Sequence, residues 1–366
     1  MAEKNYYNRP LKLNAARAWR TYFGGKMIEA LHGNTDAVDT HFPEEWITSV
    51  VCAKNAGREH IKDEGLSYVE GEGVSLKDII ESAPERALGK AHYEKFGATP
   101  GVLVKLLDAA ERLGIQAHPN KEKARLYFDS DYGKTECWYI IDKREIDGVK
   151  PCLYMGFKEG VTKELWREVF DKQDIPRMLG CLNKFDVEIG DTFLIKGGMP
   201  HAIGAGCFLV EIQEPTDYTL RTEKVTPSGL EISDQACHYG IGFDKMFDCF
   251  EYDCMNEKEA EGLKTPEKEL ENTDGYRLSE IIGYNETDCF MLRKLVVKGE
   301  YTLDLGGVYC GLYVLDGNGE FITAEQKTAV GKAEQYFVPA ETGKLTIRNK
   351  SKEGMTVLIS NGPQIK

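Results

Sequence analysis

Short apolar runs separated by turn residues set the character of the chain. Trp46–Cys52, Gly101–Leu107, Leu113–Pro119, Gly133–Ile141, Cys207–Gln213 and Tyr218–Glu223 each predict a strand. After a weaker stretch the same pattern resumes. Phe290–Val297, Tyr309–Leu315, Gln335–Val338, Lys344–Ile347 and Met355–Ile359 are apolar, and turn signals such as Asp316-Gly-Asn-Gly separate them. Many short strands at even spacing indicate a β-barrel or sandwich. The 3.6-residue period occurs in few places. Ser75 to Leu88 is predicted helical, with Ser75 as its N-cap and Leu76, Ile79 and Ile80 on one face. Asn120 caps a short charged helix from Lys121 to Phe128. Residues 161–182 read as two helices inserted between strands, with Leu165, Trp166, Val169 and Phe170 at helical spacing and Pro176 in a first turn. Gly242 to Phe250 is a further candidate helix, and residues 1–40 read as an irregular lead-in.

Composition narrows the class. A chain of 366 residues, 42% of them hydrophobic, can bury a large core. It has no apolar run long enough to cross a membrane, and its start, Met-Ala-Glu-Lys-Asn-Tyr-Tyr, has no apolar signal core, so a cytoplasmic location is expected. The ten cysteines are scattered, several of them inside apolar runs, and read as free thiols in a reducing compartment. A net charge of −14 argues against a nucleic-acid partner. An anionic small molecule would need a local basic pocket. Gly133-Lys134-Thr135 could be mistaken for a phosphate-binding loop, but position 128 is Phe where that loop needs Gly, and a strand follows where it needs a helix.

The candidate chemistry lies in the first block of strands. Gln116 and His118 are two apart, so on a strand they leave the same face, and so do Lys134 and Glu136. In Gly190-Asp-Thr-Phe-Leu-Ile-Lys-Gly-Gly-Met-Pro-His201 an apolar run enters a glycine-rich bend that delivers a histidine. Its spacing resembles the second metal-binding motif of the cupin barrels, with Lys196 where Pro is usual. Two imidazoles, a carboxylate and an amide oxygen at Gln116, His118, Glu136 and His201 suit Zn²⁺ or another divalent first-row metal. An amide is a weak ligand, which leaves positions open for water or substrate. Lys134 and Arg221 are basic residues on the same strands, and Glu211 is a further carboxylate between His201 and Arg221. Taken singly, each of these is more often a solvated or core residue. A histidine and a glutamate on the interior face of apolar strands are costly together unless paired or metal-bound. The last block echoes the strand-and-bend pattern but has no histidine after His238, so it reads as a second barrel without metal.

Ile115-Gln-Ala-His-Pro119, Gly133-Lys-Thr-Glu-Cys-Trp138, Gly198-Met-Pro-His-Ala-Ile-Gly204 and Glu211-Ile-Gln213 followed by Arg221 resemble the short bacterial type I mannose-6-phosphate isomerases in order and spacing. The resemblance spans about residues 40 to 225. It implies a mainly β fold of two cupin-like jelly-roll barrels with a helical insertion. The division expected is a catalytic barrel at 1–225 with helical insertions at about 75–100 and 161–182, a connector at 226–280 and a metal-free barrel at 281–366. The family's activity interconverts mannose 6-phosphate and fructose 6-phosphate through an enediol. It uses one zinc ion per chain, here held by Gln116, His118, Glu136 and His201, with catalytic roles for Lys134 and Arg221. The proton carrier stays open between Lys134 and Glu211, and the expected partner is a small-molecule sugar phosphate. Two other classes fit parts of the pattern. A non-catalytic sugar-binding or regulatory cupin would need neither Lys134 nor Arg221, and an Fe(II) dioxygenase usually relies on more histidines.

Overall fold

A computed structural model describes residues 5–365. The strands form four antiparallel sheets arranged as two facing pairs. In the first pair, a six-stranded sheet runs in the order Ala16–Ala18, Glu44–Ile47, Leu103–Asp108, Cys207–Gln213, Glu136–Lys143, Thr192–Ile195. A five-stranded sheet, Leu220–Arg221, Gln116–Ala117, His201–Ile203, Cys152–Phe157, Leu182–Asp186, packs over it. Leu107, Trp138, Ile140 and Leu209 of the one meet Leu153, Met155 and Ile203 of the other. In the second pair, a seven-stranded sheet from Leu11–Leu13 to Lys268–Asn272 faces a four-stranded sheet built from Glu300–Asp304, Lys344–Asn349, Asn318–Ile322 and Lys327–Gly331.

The two larger sheets also pack back to back. Val104, Leu106, Cys137, Tyr139 and Val210 meet Ile281, Leu292, Tyr313 and Leu358 across that boundary. Both faces of Leu103–Asp108 are therefore covered, and all its residues are buried. That is why it reads as a continuous apolar run and not as an alternation. Helices Lys163–Asp171, Ile175–Gly180 and Phe243–Asp248 cover the outer face of the five-stranded sheet through Trp166, Phe170, Met178 and Phe247. No helix among the described residues is long and apolar enough to cross a membrane.

Several expectations shift in detail. The helix from Ser75 is capped as expected, its Oγ accepting from Asp78 N, but it stops at Ser82, and Pro84 opens a separate helix to Leu88. The strand at Trp46 runs from Glu44 to Ile47 and then leaves the sheet. The lead-in is less irregular than expected, since Leu11–Leu13 and Ala16–Ala18 pair into two different sheets. Within the expected connector, Lys268–Asn272 and Tyr276–Ile282 add two strands to the edge of the seven-stranded sheet. Lys268–Asn272 is exposed along its whole length, so no alternation marks it.

Candidate metal centre

Local geometry brings the candidate ligands to one place. His201 pairs directly with Gln116 across the five-stranded sheet, and Gln116 pairs in turn with Arg221. Directly opposed residues of antiparallel strands share a face, so Arg221, Gln116 and His201 stand in one row. Glu136 begins a strand of the facing sheet, on the same side as Trp138 and Ile140, which line the core between the two sheets. The bend before His201 needs its glycines. A Cβ on Gly197 would lie 2.7 Å from Asn120 Cα, and Gly198 has φ 91° with its N–H donating to His118 O at 2.6 Å. That close approach holds the bend against Pro119–Asn120 and sets His201 beside His118, with ring centroids 4.8 Å apart.

His118, Glu136 and His201 are buried, and their ligand atoms lie within 4.8 Å of one another. Glu136 Oε2 is 3.3 Å from His118 Nε2, and Oε1 is 3.4 Å from His201 Nε2. The other nitrogen of each ring is committed. His118 Nδ1 is 2.7 Å from Tyr218 O and His201 Nδ1 is 2.9 Å from Met199 O. A carbonyl can only accept, so each Nδ1 carries the proton and each Nε2 lone pair faces the trio. Burial, followed by the Lys134 ammonium, pushes His118 down to about 4, and burial lowers His201 as well. Both imidazoles are therefore neutral at pH 7, the form that binds metal. Burial works against charge on Glu136, yet the Lys134 ammonium holds its carboxyl well below the usual range. Neither of its buried oxygens accepts a hydrogen bond. A buried carboxylate that faces two imidazole lone pairs, with only the Lys134 ammonium beside its Oε2, suits a divalent cation, and the donor set is that of zinc.

Gln116 and Lys134 connect the trio to a cleft of about 790 Å³. Gln116 Nε2 lies 3.4 Å from His201 Nε2, and turning the amide over would present Oε1 there instead. Lys134 Nζ is 2.9 Å from His118 Nε2 and 3.1 Å from Glu136 Oε2. Arg221 lines the same cleft, donates only to the carbonyls of Thr219 and Ala236, both at 3.3 Å, and makes no ion pair among the described residues. Glu211 also lines the cleft but stands apart from the trio. Its Oε1 accepts from Lys105 at 2.9 Å and its Oε2 from Trp138 Nε1 at 3.1 Å. Sequence analysis missed Arg20, Glu44, Lys105 and Asp217, which line the cleft as well. A lysine at the centre of the apolar run Gly101–Leu107 was the one visible signal.

Facing antiparallel sheets with an imidazole–carboxylate set between them place the chain among cupin-like metalloproteins. Comparison with known proteins narrows this. The family model of the phosphomannose isomerase type I catalytic domain matches residues 58–139, the stretch that carries Gln116, His118, Lys134 and Glu136. The probable mannose-6-phosphate isomerase GmuF of Bacillus subtilis is 30% identical over 263 residues, covering 70% of this chain and 76% of that protein. The crystal structure of the mannose 6-phosphate isomerase from Bacillus subtilis superposes with a TM-score of 0.72 at 21% identity, covering 96% of this chain and 99% of that one. A mannose 6-phosphate isomerase crystallised with zinc and yttrium has the same fold, with a TM-score of 0.70 at 15% identity over 97% of this chain and 100% of that one. The chain belongs to the type I mannose-6-phosphate isomerase family.

Proposed function

We propose that the chain interconverts mannose 6-phosphate and fructose 6-phosphate through an enediol, with one Zn²⁺ or similar divalent ion held by His118, Glu136 and His201 and more weakly by Gln116. The observation that carries this is the row Arg221–Gln116–His201, which aligns with a ligand imidazole a guanidinium that has no ion pair among the described residues. When bound, such an ion supplies polarisation of the sugar carbonyl and offsets the charge of the enediolate. Arg221 adds a fixed positive charge on the cleft side, because a guanidinium keeps its proton. Lys134, whose Nζ reaches the trio, is our candidate for the proton carrier: as the free amine it would take the C2 proton and, as the ammonium so formed, return it to C1. Glu211, the other candidate, has both oxygens engaged by Lys105 and Trp138 and is the less favoured carrier. The two sheet pairs read as two cupin-like barrels. Residues 1–225 supply the catalytic one, apart from Leu11–Leu13, which joins the second, and residues 281–366 form the body of a metal-free one, with 226–280 connecting them and lending it two strands. The same reading places the enzyme in the cytoplasm, with a free sugar phosphate as its partner.

The test is a coupled steady-state assay of the metal-loaded protein on a panel of aldose and ketose phosphates. Turnover of mannose 6-phosphate in both directions is the expected result. A protein that loads metal and turns over none of the panel would move the assignment to a sugar-binding cupin.

A further inference from the structure

A chain of buried charges runs alongside the trio. Asp217 accepts both Nη groups of Arg20 at 3.1 Å, Arg20 Nε reaches Glu44 Oε2 at 2.9 Å, and Lys105 Nζ lies 3.7 Å from Glu44 Oε2 and 2.9 Å from Glu211 Oε1. Trp138 Nε1–H closes the chain on Glu211. None of these six residues is more than 8% exposed. Burial opposes ionisation of Glu44 and Asp217, yet their cationic neighbours hold both at about 2, so the chain stays charged at working pH. Ion pairs this deep return little net stability compared with apolar packing. What they do return is fixed geometry, and one end of this chain touches a ligand imidazole while the other lies one residue from a carbonyl that holds the second. Asp217 directly precedes Tyr218, whose carbonyl accepts the His118 Nδ1–H. Trp138 packs its ring against the His201 ring at 5.3 Å and 77°.

We propose that this ion ladder, with Arg20 as its keystone, positions both histidines and thereby sets the affinity of the centre for a divalent metal. Arg20 suits the part because its planar fork fixes the orientation of the Asp217 carboxylate and, through it, the start of the segment that presents the Tyr218 carbonyl. Its own backbone is fixed too, since its N–H donates to His41 O at 2.8 Å and its carbonyl lies 2.8 Å from His41 Nδ1. Arg20 touches no trio atom and is a positioning residue. The inference rests on the reading that the trio holds metal.

The experiment measures the Zn²⁺ dissociation constant of the full chain by competition with a chromophoric chelator. It also records the His118 Nδ1–H resonance of the zinc-loaded protein by NMR. Arg20→Met alone would take from Asp217 its ion-pair partner while Glu44 keeps Lys105, so the main variant is Arg20→Met/Asp217→Asn, which removes one charge of each sign. Loss of a partner behind a metal ligand costs about 10–100-fold in affinity. The double variant is expected to weaken Zn²⁺ by about tenfold, at the lower end of that range, and to shift or broaden the His118 signal. Arg20→Lys, which keeps the charge but not the fork, is expected to fall between it and the wild type. A folded double variant with an affinity within twofold of wild type and an unmoved resonance overturns the proposal. If the double variant does not fold, Arg20→Lys decides: a several-fold weaker affinity supports the proposal and an unchanged one overturns it. A wild type that binds no Zn²⁺ would instead overturn the metal reading beneath it.

Discussion

Replacing Glu136 by Gln keeps shape and removes the only negative charge of the trio. At the 3.1 Å that separates its carboxylate from Lys134 Nζ, a unit charge pair is worth about 5 kcal/mol at an effective dielectric constant of about 20. If about half of that survives relaxation, each unit of cation charge near the carboxylate loses about 2.5 kcal/mol. A divalent ion then loses about 5 kcal/mol, which raises the dissociation constant by about 4 × 10³-fold. The same change leaves Lys134 buried without its partner, and breaking a buried pair costs about 3–5 kcal/mol of stability in the metal-free protein. The assay is chelator competition for Zn²⁺ on wild type and Glu136→Gln, with circular dichroism to establish that both are folded. A folded Glu136→Gln protein whose Zn²⁺ affinity stays within tenfold of wild type would refute the reasoning, because the carboxylate would then not face the ion.

Three further outcomes are expected. Arg221→Ala, metal-replete, should lose about 10²–10³ in kcat with little change in KM, as for a contact made chiefly to the charged transition state; an unchanged kcat would remove Arg221 from the mechanism. Glu44 and Asp217 titrate at about 2 in the folded chain against ordinary values of 4.5 and 3.8. The stability they contribute is fully present above those ordinary values and is lost as pH falls from about 4.5 through 2, about 2–3 kcal/mol each, and urea unfolding with chelator at pH 7, 4 and 3 would read it as a falling free energy rather than a flat one. Gly197→Ala should destabilise the chain by about 1–3 kcal/mol and weaken metal binding, since its Cβ would press on the Asn120 backbone behind His118; equal melting temperature and equal metal content in the two proteins would contradict it.

The trio was legible in the sequence for a physical reason. Gln116 and His118, Lys134 and Glu136, and the bend into His201 are local patterns, and strand periodicity alone tells which side chains share a face. The ladder was not legible. Arg20 and Asp217 stand 197 positions apart and meet only because two strand ends converge. Lys105 sits in a run whose apolar character comes from burial on both faces, which hides a charge that is satisfied in three dimensions. In the second sheet pair Gln335–Val338, buried at every position, was read as a strand, while Glu300–Asp304 and Lys327–Gly331, with few buried apolar positions, were not. The break at Pro84 could have been read from the proline itself.

The account stands most directly on an activity titration. Protein stripped by a chelator is given Zn²⁺ in sub-stoichiometric steps, and mannose 6-phosphate isomerisation is measured at each, for the wild type and for His201→Ala. The expected result is no turnover in the stripped wild type, activity rising linearly to a break at about one equivalent per chain, and no recovery in His201→Ala. Full turnover by the stripped wild type, or full recovery by His201→Ala at one equivalent, would contradict a metal centre built on His118, Glu136 and His201.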